Sequence, residues 1–140
     1  FVDMVNFYEH MHAVEPYFDP DELPEDALTE QRQTRKNREK IKMSTRCIWC
    51  GACHSSCNIA AGDNEYLGPA ALNKAYRFYW DEREGENRRL ERLEILEDEH
   101  ALWRCQTQFS CTEVCPKDIP ITEHIQSLKR EAVKENIRFW

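Results

Sequence analysis

The cysteines of this chain repeat at one spacing in two separate segments. In the first segment they occupy offsets 0, 3, 6 and 10, and in the second they occupy offsets 0, 6 and 10. At offset 3 of the second segment stands Gln108, where the repeat would place a cysteine. The cysteines are Cys47, Cys50, Cys53, Cys57, Cys105, Cys111 and Cys115. This spacing predicts two metal-binding loops, the second of which lacks one ligand.

Other uses of the cysteines fit this spacing less well. Seven is an odd number, so a disulfide framework would leave one cysteine unpaired. Zinc sites need four ligands each and usually separate two C-x2-C pairs, whereas three cysteines here follow one another at two-residue gaps. Thiol redox catalysis by Cys47 and Cys50 lacks a preceding strand. A zinc-stabilised interaction module is therefore a minor alternative.

The charge of the chain argues against a nucleic-acid partner. It contains 26 acidic and 19 basic residues, a formal net charge of -7, and so would be repelled by a phosphate backbone. Only 41% of its residues are hydrophobic and the mean hydropathy is -0.79. Because such a core is modest, we expect bound cofactors to contribute to the stability of the fold.

The spacing C-x2-C-x2-C-x3-C is typical of bacterial dicluster ferredoxins. In these proteins three thiolates of one motif hold an iron–sulfur cluster, and the fourth thiolate binds the other cluster. This cross-over predicts a 4Fe-4S cluster on Cys47, Cys50, Cys53 and Cys115. The second site then has Cys57, Cys105 and Cys111, with Gln108 at the fourth corner. Since a neutral amide is a poor iron ligand beside thiolates, we expect a 3Fe-4S cluster there.

Apolar residues recur at helical spacing along the chain, and no stretch alternates with period two, which predicts an all-α fold. We expect residues 1–43 to form a helix, an acidic linker over 15–24 and a charged helix over 25–43. Residues 44–140 are expected to form a helical dicluster domain, with helices starting at Gly68 and covering 87–98 and 121–136. The expected buried faces are Met4, Phe7, Tyr8 and Met11; Leu72, Ala75, Tyr76 and Tyr79; Leu90, Leu93 and Leu96; and Ile121, Ile125, Leu128 and Ala132.

Three segments resemble one known family. They are RCIWCGACHSSC at 46–57, YLGPAALNKAYRFYWDERE at 66–84 and WRCQTQFSCTEVCPKDIP at 103–120. The order and separation of these segments resemble the C-terminal domain of the iron–sulfur subunit of succinate dehydrogenase and fumarate reductase. The resemblance implies an electron-transfer subunit of an oxidoreductase complex, with no substrate-converting site in this chain.

The resemblance also implies partners, cofactors and a location. In this family a flavoprotein subunit oxidises succinate or reduces fumarate, and electrons pass through 2Fe-2S, 4Fe-4S and 3Fe-4S clusters to quinone beside a membrane anchor. The 2Fe-2S cluster belongs to an upstream plant-type ferredoxin domain, whose C-x4-C-x2-C motif this chain lacks. The expected location is peripheral, on the cytoplasmic face of a prokaryotic membrane or the matrix side of a mitochondrial one.

The quinone pocket departs from the family pattern. Many members have proline and then a tryptophan pair after the cysteine equivalent to Cys57, where this chain reads NIAAGDN. Succinate dehydrogenases commonly place histidine where this chain has Gln106. On the last helix, Gln126 and Lys129 resemble polar residues near the quinone in fumarate reductases, and their i, i+3 spacing puts them on one face. Lys129, Gln126 and Gln106 are therefore the candidate quinone residues.

Two related functions compete with this interpretation. Iron–sulfur subunits of the heterodisulfide reductase or glycolate oxidase type also carry two such motifs, but they usually retain the cysteine that Gln108 replaces. A stand-alone dicluster ferredoxin is the other alternative, although 140 residues with a long N-terminal extension is generous for that role. The five histidines are interpreted as surface or packing residues.

Overall fold

The computed structural model of the chain describes residues 3–20 and 30–138, without the side chains of residues 137 and 138. In this part it contains helices and loops and no strand, so the predicted all-α fold is confirmed. None of the described helices is both long and apolar enough to cross a membrane. The helices are α1 (Val5–Ala13), α2 (Arg35–Ile41), α3 (Ala52–Ser55), α4 (Asn58–Gly62), α5 (Gly68–Tyr79), α6 (Glu86–Leu96), α7 (Ser110–Glu113) and α8 (Ile121–Arg138), with one 3-10 turn at Ser44–Arg46.

Helix α5 is the centre of the core and packs against α1, α6 and α8. It begins at Gly68 with Pro69 in its first turn, where the missing amide of proline costs no hydrogen bond. Gly68 has φ +81, and a Cβ there would lie 2.5 Å from Nδ1 of His54, so α5 begins in close contact with the first cysteine motif. The predicted faces of α5 and α8 are all buried, which confirms both: Leu72, Ala75, Tyr76, Tyr79, Ile121, Ile125, Leu128 and Ala132.

Helix α1 confirms the predicted opening helix, but one residue faces outward. Phe7 and Met11 are buried and belong to the same apolar core as α5 and α8. Tyr8 is 44% exposed, so its placement in the core was wrong. Its ring centroid lies 6.4 Å from that of Trp49, at the edge of the first cysteine motif.

The charged helix predicted over 25–43 is shorter than expected. Residues 25–29 lie outside the described part, residues 30–34 are not helical, and α2 begins only at Arg35. Thr34 caps α2, since its hydroxyl accepts a 3.2 Å hydrogen bond from the amide of Asn37. Its own amide and hydroxyl both donate to the carboxylate of Glu82. The prediction of one continuous helix is therefore wrong. The contacts of Thr34 with the distant Glu82 favour an extended backbone at Thr34.

Helix α6 buries a charged residue in place of a leucine. Leu90, predicted to face inward, is 39% exposed, whereas Arg92 is fully buried. The guanidinium of Arg92 pairs with Glu84 at 2.5 Å and donates a 2.7 Å hydrogen bond to the carbonyl of Val14. A buried charge is tolerated when it is paired and hydrogen-bonded in this way. Leu93 and Leu96 are buried as predicted, so among the three leucines apolar periodicity misassigned only Leu90.

Candidate metal centres

The two cysteine motifs share one backbone conformation. Trp49 and Gly51, two and four residues after Cys47, have φ of +58 and +74. Thr107 and Phe109, at the same offsets in the second motif, have φ of +58 and +64. Side chains rarely adopt positive φ, and least of all β-branched or bulky ones, so surrounding structure holds the second loop in this conformation. A one-turn helix follows each loop, α3 in the first copy and α7 in the second.

A first cavity lies between the two motifs and is lined by four thiols. Three come from the first motif, and the last comes from the end of the second motif. The cavity contains about 380 Å³ of space free of protein atoms, its open mouth included. Its thiols belong to Cys47, Cys50, Cys53 and Cys115, and its apolar lining includes Ala70, Ile119 and Ile121.

A second cavity also lies between the two motifs and is lined by three thiols. It contains about 350 Å³ of space, measured in the same way. Two thiols come from the second motif, Cys105 and Cys111, and one comes from the first motif, Cys57. Gln108 lines the same cavity, at the position that the repeat would give to a cysteine.

The cross-over follows from the packing of the motifs. Helices α3 and α7 contact each other, so the last cysteine of each motif lies beside the loop of the other. Cys57 immediately precedes α4, and Cys115 follows the C-terminal end of α7. The seven cysteines thus divide into groups of four and three, the division that the spacing predicts. Their assignment as cluster ligands stays a prediction.

The chemistry of the thiols fits a multi-iron group better than a disulfide or a single ion. All seven cysteines are free. Within residues 3–20 and 30–138, no three His, Cys, Asp or Glu side chains lie close enough together to hold one metal ion. Thiols that surround a cavity without converging suit a larger inorganic core, whose several iron atoms each take their own ligand.

Burial opposes ionisation of two of these thiols, those of Cys53 and Cys111, unless positive charge is supplied. It raises the pKa of Cys53 to about 12, and the neighbouring cysteines add to the rise. Burial also raises the pKa of Cys111, although the hydroxyl of Thr122 acts in the opposite direction. The thiolate forms of Cys53 and Cys111 are therefore favoured only beside cations, which bound iron would provide.

Two hydrogen-bonding residues of the second cavity were not predicted from the sequence. Tyr66 is almost fully buried and forms a side-chain hydrogen bond with Cys105, and burial, together with nearby thiols, raises the pKa of its phenol. The hydroxyl of Thr122 lies 3.4 Å from Sγ of Cys111 and 2.9 Å from the hydroxyl of Thr112. No local sequence pattern marks either residue, because each contacts its cysteine only in the folded structure.

The three candidate quinone residues all lie at the loop that carries Cys105. Lys129 donates a 2.8 Å hydrogen bond from Nζ to the carbonyl of Cys105. Nε2 of Gln126 donates at 2.8 Å to the hydroxyl of Thr107. Gln106 is exposed and lines the second cavity. The structure thus brings the three together, and two of them hold the loop of the second motif in place.

Comparison with known proteins agrees with this architecture. The 4Fe-4S dicluster domain family matches residues 43–119, more than half of the chain and all of both cysteine motifs. This chain belongs to the 4Fe-4S dicluster domain family. Iron–sulfur clusters are accordingly its cofactors.

Three relatives are similar over nearly the whole chain. The mitochondrial succinate dehydrogenase [ubiquinone] iron-sulfur subunit 1 of Oryza sativa subsp. japonica is 38% identical over 92% of this chain and 46% of its own length. The fumarate reductase iron-sulfur subunit of Haemophilus influenzae is 30% identical over 97% of this chain and 56% of its own. The succinate dehydrogenase iron-sulfur subunit of Coxiella burnetii is 33% identical over 96% of this chain and 56% of its own.

These relatives confirm the resemblance that the three sequence segments predict. The similarity extends well beyond the cysteine motifs, since it covers 92% to 97% of the chain. The chain spans about half the length of these relatives.

Proposed function

We propose that this chain is an electron-transfer segment that passes single electrons between two iron–sulfur clusters. In this proposal Cys47, Cys50, Cys53 and Cys115 hold a 4Fe-4S cluster, and Cys57, Cys105 and Cys111 hold a 3Fe-4S cluster. The observation that carries it is the division of the thiols between the two cavities, four in one and three in the other. Gln108 lines the second cavity where a fourth thiol would complete the set.

Each part of the chain has a defined role in this proposal. The bound clusters supply one-electron oxidation and reduction. The thiolates bind iron, and the apolar linings of both cavities exclude water from it. Because α3 and α7 contact each other, the two cavities are neighbours, and electrons need to cross only the packed region between them. In this proposal the described residues carry electrons and take no part in proton exchange or bond formation with a substrate.

The relatives suggest which complex this segment belongs to. They are named as iron-sulfur subunits of succinate dehydrogenase and fumarate reductase. We therefore place the chain between a flavoprotein subunit and a membrane anchor, in a succinate:quinone oxidoreductase or a fumarate reductase. Its proposed location is the membrane surface, on the cytoplasmic side in a prokaryote or the matrix side in a mitochondrion.

The proposed domain organisation has residues 1–43 as an N-terminal extension and residues 44–140 as the dicluster domain. A 2Fe-2S cluster in a plant-type ferredoxin domain, upstream in the same subunit, would complete the path from the flavoprotein. The chain spans about half the length of its relatives, which leaves room for such a domain.

Quinone is proposed to bind near the second cavity. Gln106 and Gln108 line that cavity and are exposed, and Phe109 beside them is 49% exposed. Lys129 lies with its Nζ 6.0 Å from the ring centroid of Trp103. A polar and aromatic surface beside the second cluster suits a ring that carries two carbonyl oxygens.

The ligand assignment is tested by Cys115→Ser and Cys57→Ser, which alter the same offset of the two motifs. The unmodified chain should contain about seven irons with acid-labile sulfide. Cys115→Ser should disturb the four-iron signal in electron paramagnetic resonance, although Cys115 belongs to the second motif. Cys57→Ser should disturb the three-iron signal. The reverse pattern would exclude the cross-over, and zinc without sulfide would exclude the clusters.

The place in the complex is tested separately. Succinate added to the assembled complex should reduce the three-iron centre, and quinone should then reoxidise it. A stand-alone ferredoxin would not form a stable complex with a succinate-oxidising flavoprotein, and a subunit of the heterodisulfide reductase or glycolate oxidase type would not respond to succinate.

A further inference from the structure

A buried amide lies in the wall of the first cavity, among the four thiols. Asn73 belongs to α5, is only 1% exposed, and lines this cavity together with the cysteines. A buried polar group destabilises a fold unless each of its hydrogen-bonding atoms finds a partner. Every other buried residue of α5 is apolar or aromatic, so the buried amide of Asn73 calls for hydrogen-bond partners.

The two ends of the Asn73 side chain differ in their contacts. Its oxygen Oδ1 lies 2.8 Å from Nδ1 of His124 on α8. Since a carbonyl oxygen only accepts, Nδ1 of His124 carries the proton and donates it. The nitrogen Nδ2 is buried and has no hydrogen-bond partner in the described part of the chain. Its two N–H donors are therefore available to a group inside the cavity.

The opposite amide orientation is disfavoured by charge. If the amide were rotated, Nδ2 would contact His124 and Oδ1 would be the unpartnered atom beside the thiols. A carbonyl oxygen next to thiolates is repelled, whereas an N–H group is attracted. The orientation with Nδ2 toward the thiolates satisfies both ends of the side chain.

His124 is held so that it fixes this orientation. Its ring stacks on Tyr76 with centroids 3.9 Å apart and an angle of 9° between the planes. Burial lowers the pKa of His124 to about 4, so the ring is neutral at pH 7 and brings no charge near the cavity. Tyr76 and Asn73 both belong to α5, so the helix supports the histidine from two sides.

We propose that Nδ2 of Asn73 donates a hydrogen bond to the 4Fe-4S cluster or to one of its thiolates, and that His124 is the positioning residue that orients it. This inference rests on the proposed 4Fe-4S site. A hydrogen bond to a cluster sulfur stabilises the reduced, more negative form, so Asn73 raises the reduction potential of this centre. One electron is gained at the cluster and no proton is transferred.

The test is a redox titration of the cluster-loaded protein in its complex, followed by electron paramagnetic resonance. Asn73→Leu keeps a similar volume but removes the donor, and should shift the four-iron potential to more negative values. The three-iron potential should not change, which makes that centre an internal control. Asn73→Ser retains a donor, so its four-iron potential should lie between those of Asn73→Leu and the unmodified chain. His124→Phe preserves the stacking on Tyr76 and should give a smaller shift in the same direction.

A second measurement needs no variant. Electron–nuclear double resonance of the reduced four-iron centre, in water and in deuterium oxide, should show an exchangeable proton coupled to the cluster. Its absence, or an unchanged potential in a folded Asn73→Leu chain, would overturn the hydrogen bond and leave the ligand assignment standing. An unmodified chain without any four-iron signal would overturn the proposed site itself.

Discussion

Lys129 on α8 donates a 2.8 Å hydrogen bond to the backbone carbonyl of Cys105, 24 residues earlier in the chain. This contact ties the longest helix to the loop of the second cysteine motif. It gives Lys129 a structural task beside the quinone role that the family resemblance implies. A positive charge at this loop also partly compensates the negative charge of the thiolates.

We expect Lys129→Ala to slow quinone reduction in the assembled complex and to weaken iron retention at the second site. Loss of this hydrogen bond should destabilise the loop by on the order of 1 kcal/mol. Quinone kinetics and the three-iron resonance signal would measure the two effects. Lys134→Ala is the matched control, since this lysine lies on the same helix and pairs only with Glu131 in the described part of the chain. Wild-type kinetics in the Lys129 variant would contradict the prediction.

Gln108→Cys should convert the proposed three-iron centre into a four-iron centre with a lower potential. The variant restores the thiol that the repeat lacks, on the loop that already lines the second cavity. Electron paramagnetic resonance of the oxidised protein measures the change, because the three-iron signal should disappear.

Gln106→Cys is the control for this conversion. It adds a thiol to the same loop and the same cavity, but at an offset that the first motif does not use for a cysteine. The three-iron signal should persist in this variant. A three-iron signal that persists in a folded Gln108→Cys chain would instead contradict the assignment of Gln108 to the position of the missing ligand.

Arg92→Met should strongly destabilise the protein. The side chains of Arg92 and Glu84 are both fully buried, so removal of the arginine leaves a buried carboxylate without its charge partner. Breaking such a pair costs about 3–5 kcal/mol, whereas an exposed pair contributes about 1 kcal/mol or less. Denaturant unfolding of the cluster-loaded chain measures the difference, with Lys42→Ala, from an exposed pair with Glu39, as control.

The double variant Arg92→Met with Glu84→Leu should recover part of this loss, because no unpaired charge then remains in the core. Equal losses in the single and double variants would show that packing, rather than charge, accounts for the effect.

The carboxylate of Asp81 should make the stability of the chain decrease at acidic pH. Burial alone would raise its pKa, but hydrogen bonds from Arg83, with its charge and that of Arg77, hold the pKa below the usual value. A depressed pKa stabilises the fold above the unfolded-state value of about 3.9, and this contribution is lost as the pH falls through the folded-state pKa. Asp81→Asn should therefore remove part of the acid dependence.

Denaturant unfolding at a series of pH values measures this effect as the difference between the variant and the unmodified chain. Glu39→Gln, which alters an exposed carboxylate, is the control. A constant difference at all pH values would exclude Asp81 as a source of the dependence.

The elements of the fold that could be predicted are those with a local pattern. The buried stripes of α5 and α8 follow from helical periodicity, and α5 begins at Gly68 where the Gly-Pro pair indicated. The errors have a common physical cause. Leu90 is exposed and Arg92 is buried, and residues 30–34 are not helical, because contacts with Glu84, Val14 and Glu82 outweigh local preference.

The sequence by itself determined the helical class of the chain, the two loops of cysteines and the place of Gln108 in their repeat, since these depend on spacing along the chain. Only the tertiary structure decided which polar groups surround the cavities. Asn73 meets His124 across 51 residues, and Thr122 meets Cys111 from another helix. Such pairs produce no periodic pattern in the sequence, because they form only when α5, α7 and α8 have packed around the two sites.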